Sequence, residues 1–177
     1  MFQLSCTKEQ YEPAIVSTST SLAYNQSYGK YGRSLPCEKE LYGLVNRVID
    51  GDTIVILVET NSYIVRLAEI DAPEKKQQFG MEAKEFTKKL SFQKVVNVKY
   101  KEKDKYGRIV GTVIIVTNGV NINQELLKNG LAYWYRQYST NHSLGILEKE
   151  ARDNKIGVWY STNNVPPWKW RKQHKRN

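Results

Sequence analysis

The chain has 177 residues, 27 of them Lys or Arg and 18 Asp or Glu, for a formal charge of +9. With 40% apolar and 25% charged residues it is composed as a globular protein, which excludes disorder throughout. No apolar run approaches the roughly 20 residues of a membrane helix. Two cysteines, Cys6 and Cys37, and two histidines, His142 and His174, are too few for a disulfide scaffold and argue against zinc.

Residues 1–40 are balanced at four basic and four acidic side chains, so the whole excess lies in residues 41–177. The stretch Trp168 to Asn177 holds Lys169, Arg171, Lys172, Lys175 and Arg176 with no acid. A basic folded part followed by a basic tail points to a polyanionic partner, or, for the tail alone, to simple solvation.

In chain order, residues 1–39 read as a poorly ordered leader or linker, rich in Ser, Thr, Asn and Gly and without periodicity. They lack the charged start and apolar stretch of a signal peptide. Leu4-Ser5-Cys6 resembles the end of a lipoprotein signal, and Cys6 is open either to lipid attachment or to a disulfide with Cys37. Residues 40–170 are expected to form the folded domain, and residues 171–177 a basic tail.

Leu41 to Asn46, Thr53 to Val58 and Ser62 to Leu67 read as three antiparallel strands in short hairpins. Phe79, Ala83, Phe86 and Leu90 share one helical face. Val95, Val96 and Val98 suggest a fourth strand, and Ile109 to Val116 a fifth. Asn121-x-x-Gln124 is a capping box for a second helix that buries Ile122 and Leu126 and stops at Asn129-Gly130. Leu144, Leu147 and Ala151 mark a third helix, with Ser143 as N-cap and Gly157 as stop. Trp159, Pro166, Pro167, Trp168 and Trp170 are expected to fold back on the domain. The fold class is therefore α+β, mainly β: a five-stranded closed barrel of OB type with three helices.

Three turns carry chemistry. Asp50-Gly51-Asp52-Thr53 joins the first two strands; alone it is ordinary turn chemistry, yet two carboxylates so close also suit a shared cation. Arg66 ends the third strand, and Asp71-Ala72-Pro73-Glu74 presents two carboxylates and a carbonyl around a stiffened turn. Such hard oxygen donors fit Ca²⁺ or Mg²⁺, while the plain alternative is an acidic turn paired with Lys75 and Lys76. Asp104-Lys105-Tyr106-Gly107-Arg108 is a hairpin tip whose arginine enters an apolar strand and requires a partner. Together these residues make a phosphodiester site, in which arginines hold the charge that grows in the transition state.

Asp50-Gly51-Asp52-Thr53, Arg66-Leu67, Ile70-Asp71-Ala72-Pro73-Glu74, Asp104-Lys105-Tyr106-Gly107-Arg108, Asn129-Gly130-Leu131-Ala132 and Glu150-Ala151-Arg152 appear in one order and spacing. Over about residues 40–160 this pattern resembles the staphylococcal nuclease-like (thermonuclease) family. The resemblance implies a Ca²⁺-dependent nuclease of broad specificity for DNA and RNA. It implies Asp52 and Asp71 as ligands of one Ca²⁺ ion, in preference to Mg²⁺ or Mn²⁺, with the Ala72 carbonyl as a further ligand. Glu74 would activate the attacking water, and Arg66 and Arg108 would grip the phosphate. Tyr106 would lie near a terminal phosphate, and the 5′ P–O bond would break to give 3′-phosphate products.

Three features depart from the family pattern. Glu69 stands where a small or apolar residue is usual and could add a carboxylate near the metal. The loop from Lys75 to Gly80 is short. Tyr133-Trp134-Tyr135 and Tyr138 offer stacking surfaces without a settled correspondence, and Trp134 is equally suited to packing against the second helix. The rival reading is a catalytically silent OB module that binds single strands; another makes the leader and tail an anchor. Neither an obligate protein partner nor an oligomer is expected. Because a broad nuclease endangers its own cytoplasm, a secreted, periplasmic or surface-attached location is favoured.

Overall fold

The computed structural model describes residues 38–174. The leader to residue 37, with Cys6 and Cys37, lies outside the described residues, as do Lys175 and Arg176. In chain order the first strands are β1 (Lys39–Asp50), β2 (Thr53–Val58), β3 (Asn61–Leu67) and the two-residue β4 (Ile70–Asp71). Helix α1 (Gly80–Ser91) precedes β5 (Val95–Lys103) and β6 (Ile109–Ile115). Then come α2 (Ile122–Lys128), the short β7 (Tyr133–Trp134), α3 (His142–Asp153) and α4 (Pro167–Gln173).

Five strands close into a barrel in the order β1-β2-β3-β6-β5. Strands β3 and β6 run parallel, and the other neighbours antiparallel. A parallel pair cannot be joined by a tight turn, so the chain between them leaves the barrel through α1 before returning. Register shifts between Val45 and Arg47 and between Val48 and Asp50 bend β1, which lets one strand pair with both β2 and β5. Val45, Ile54, Ile56, Val65, Leu67, Val96, Val98, Val113 and Ile115 fill the interior at 1% exposure or less, and Ile122, Leu126 and Leu127 extend that core under α2.

The expected OB barrel and its first three helices are all present. The stripe expected on α1 is modified: Ala83 is buried, whereas Phe79, Phe86 and Leu90 pack only partly against the core. The fully covered positions are the small residues Gly80, Ala83, Thr87 and Ser91, because α1 lies close against the β1–β2 turn. Asn121 caps α2 as expected, accepting from the Gln124 amide at 3.2 Å. At α3 the cap is Asn141 and not Ser143, since the Asn141 side chain accepts from the Ser143 amide. The helix stops at Asp153; Gly157, with φ of 58°, opens the following 3-10 turn.

A fourth helix was not expected: the segment from Trp159 to Trp170 was read only as folding back on the domain. Pro167 occupies the first helical turn, where a missing N–H costs nothing and a fixed φ suits the helix. One buried polar residue also holds the architecture together. Asn123 accepts from the Val113 amide at 3.0 Å and donates to the Ala68 carbonyl at 2.9 Å, tying α2 to β6 and to the β3–β4 turn. Asn123→Ala leaves both backbone groups unpaired and should destabilise the protein by about 2–3 kcal/mol, read as a lowered urea midpoint.

Candidate active site

Asp52 and Asp71 reach one barrel rim from different elements, the β1–β2 turn and the end of β4. Both are buried, at 7% and 0% exposure. Arg66 lies opposite Thr53 in the β2–β3 ladder and bridges them, with Nη1 2.5 Å from Asp52 Oδ2 and Nη2 2.7 Å from Asp71 Oδ1. Asp52 Oδ2 also accepts the Ala72 amide at 2.7 Å, and its Oδ1 accepts the Thr53 hydroxyl at 3.1 Å. The turn that presents Asp52 is fixed from below. A Cβ on Gly51 would sit 2.8 Å from those of Ala72 and Ala83, and the Gly51 carbonyl accepts the Thr87 hydroxyl at 2.6 Å.

Glu74 stands on the loop between β4 and α1. Its carbonyl accepts the Gln77 amide at 2.8 Å, and its amide donates back to Gln77 Oε1 at 3.2 Å. A Cβ on Gly80 would come within 2.0 Å of the Glu74 carbonyl oxygen, so only glycine lets α1 begin directly beneath this residue. Gln77 Nε2 donates in turn to the Val165 carbonyl, tying the loop to the approach to α4.

Lys75 and Lys76 are not the partners of this acidic turn. Arg171, on α4, fills that role. Its Nη1 and Nη2 grip Asp71 Oδ1 and Oδ2 at 3.1 and 2.8 Å, and Nη1 reaches Glu74 Oε1 at 2.7 Å. Arg171 was expected in a basic tail; its place four residues after a proline that can start a helix was the available signal. Trp168 holds α4 down, stacked on Tyr135 with centroids 5.4 Å apart and edge-on to Tyr133 at 5.7 Å.

Arg108 and Tyr106 lie on the β5–β6 hairpin. Arg108 Nε and Nη2 both bind Asp104 Oδ2, at 2.8 and 2.7 Å, while Asp104 Oδ1 accepts the Tyr106 and Arg108 amides. Its guanidinium lies 5.5 Å from the Tyr106 ring centroid. The tip therefore carries its own counterion for the arginine, so Arg108 stands apart from the Asp52–Arg66–Asp71 cluster. One groove of about 1290 Å³ is nevertheless lined by Asp52, Arg66, Asp71, Glu74, Tyr106 and Arg108 together.

Glu69 lines the same groove and accepts the Ser139 hydroxyl at 2.7 Å, while Ser139 takes the Trp134 indole N–H at 2.8 Å. Trp134 packs on Gly145 of α3 and, partly buried, against the hydrophobic core.

Burial pushes the Asp71 carboxyl above its usual value despite Arg171 and Arg66. Burial, with the nearby charge of Asp52, raises Asp50 to about 6. A carboxyl raised on folding contributes stability below its unfolded pKa that is lost as pH rises through about 6. Asp50→Asn should therefore stabilise the protein in EGTA by about 1 kcal/mol at pH 8 and by nothing below pH 4, as read from urea midpoints at each pH.

Among the described residues no three His, Cys, Asp or Glu side chains converge on one ion position. The chemistry of the donors still fits a hard cation. Asp50 Oδ1 is buried without a hydrogen-bond partner, and the Asp71 and Glu74 oxygens already face a cationic group, Arg171.

Residues 64–161 match the model of the staphylococcal nuclease homologue family. The chain belongs to the staphylococcal nuclease family. It is 43% identical over 132 residues to an uncharacterized endonuclease of Escherichia coli, covering 75% of this chain and 86% of that one. A micrococcal nuclease of Shigella flexneri is 40% identical over 151 residues, covering 80% and 87%. The staphylococcal-like nuclease CAN1 of Arabidopsis thaliana is 38% identical over 115 residues, covering 65% of this chain and 35% of that protein. As a staphylococcal nuclease-like protein the chain is an enzyme, a nuclease, built on the OB barrel described above.

Proposed function

We propose that this nuclease is Ca²⁺-dependent and hydrolyses DNA and RNA with little base preference, leaving 3′-phosphate ends. The supporting observation is the Asp52–Arg66–Asp71 bridge at the barrel rim, open to the same groove as Glu74 and Arg108. Asp52, Asp71 and the Ala72 carbonyl would hold the ion. Bound there, Ca²⁺ supplies positive charge beside the scissile phosphate and offsets its negative oxygens.

Glu74 accepts a proton from a water lined up behind phosphorus. The new O–P bond forms as the bond from phosphorus to the 5′ oxygen breaks. Arg66 donates to a nonbridging oxygen, whose charge grows in the transition state. Arg108, turned from Asp104 towards the substrate, steadies the departing 5′ oxygen, which takes a proton from solvent to leave as a hydroxyl, and Tyr106 lies beside it at the groove mouth. Sugar and base are not part of this chemistry, so affinity comes from phosphates and should fall steeply with salt.

The bond that breaks can be read from the product ends. Fragments of a cut oligonucleotide should carry 5′-hydroxyls, accepting labelled phosphate from a polynucleotide kinase without prior phosphatase treatment. Fragments that accept label only after phosphatase treatment would show 5′-phosphates and the opposite bond broken.

A further inference from the structure

Asp71 meets two guanidiniums, and both of its oxygens already accept from one of them, so a metal arriving there competes with a cation in place. Arg66 is poorly placed to yield. Its side chain is 15% exposed, lies on a barrel strand, and also neutralises Asp52. Arg171 is 41% exposed and extends from the seven-residue helix α4. Its fork takes both oxygens of Asp71 and, with the same Nη1, one oxygen of Glu74. A positive group thus sits between one proposed ligand of the ion, Asp71, and the proposed proton acceptor, Glu74.

From this we infer that Arg171 is a tethered cation that stands in for Ca²⁺ in the metal-free enzyme and is displaced when the ion binds. The inference rests on the calcium reading above. It couples two events that are otherwise separate. While Arg171 holds Glu74, the proton acceptor is tied to a guanidinium; an ion that expels Arg171 from Asp71 also frees Glu74 for water. The enzyme without metal is kept from placing a free carboxylate against a phosphate. Helix α4 stays docked throughout, because Trp168 is held by Tyr135 and Tyr133 independently of the arginine.

Direct competition differs from a mere field effect in what a lysine would do. Arg171→Lys keeps the charge but cannot grip both oxygens of Asp71 and one of Glu74 at once. Arg171→Gln removes both charge and fork. Calorimetric titration of the metal-free proteins with CaCl₂ should show Arg171→Gln binding about tenfold tighter than the parent. Arg171→Lys should keep most of that gain. In EGTA, Arg171→Gln should melt below the parent, and the gap should close at saturating Ca²⁺, where the arginine no longer contributes.

Equal or weaker Ca²⁺ affinity in Arg171→Gln would overturn the inference. So would parental affinity in Arg171→Lys, which would mean that only the charge matters. Absence of Ca²⁺ binding from all three proteins would overturn the calcium reading itself, and this inference with it.

Discussion

Glu74→Gln should lower kcat on single-stranded DNA by about 10²–10⁴-fold while leaving the affinity for the strand nearly unchanged. The amide has the shape of the carboxylate and can still hydrogen-bond a water, but it cannot accept its proton. Stability should barely move, because the pair lost with Arg171 joins side chains 37% and 41% exposed. The backbone bonds that fix residue 74, to Gln77, do not involve the carboxylate. A fall of only a few-fold, measured as initial rates in Ca²⁺, would remove Glu74 from the role of proton acceptor.

Arg66→Ala should be costly twice over. It strips the shared cation from Asp52 and Asp71, buried at 7% and 0% exposure, and breaking such a buried pair costs about 3–5 kcal/mol. Under the proposed mechanism it also removes the donor to a nonbridging phosphate oxygen, worth about 10²–10³ in kcat. The two effects separate with metal. Urea midpoints should fall sharply in EGTA and recover in part with Ca²⁺, whereas the rate should not recover. Arg108→Ala is the contrast. Its partner Asp104 is four residues away on the same hairpin and the Arg108 side chain is 31% exposed, so stability should change by less than about 1 kcal/mol while activity falls. Equal destabilisation by the two substitutions would contradict the distinction.

The barrel was legible because each of its strands carries enough β-branched and aliphatic residues to show a period. Strands β4 and β7 have two residues each, too few for any pattern, and they pair Ile70 with Trp134 and Asp71 with Tyr133 only through the tertiary fold. The candidate site was legible as residues grouped in turns, and the structure brings Asp52, Arg66 and Asp71 within direct reach of one another. What the turns could not show is which charge answers which. Lys75 and Lys76 were the nearest cations in sequence to Glu74, but the partner comes from Arg171, 97 positions away. Arg108 needed a partner, and Asp104 inside its own turn is the one the structure shows. The side-chain partner of Glu69 is Ser139, 70 positions on. Pairing across such distances depends on how α4 and the β7 segment pack, and periodicity along the chain carries no record of that.

The central claim is metal-assisted hydrolysis at the Asp52–Asp71 rim, and digestion of single-stranded and duplex DNA under three conditions tests it most directly. With Ca²⁺ both substrates should be cut, with Mg²⁺ in its place much less, and with EGTA not at all. Binding of the strand without cleavage under every metal would contradict the account and leave a barrel that holds nucleic acid without cutting it.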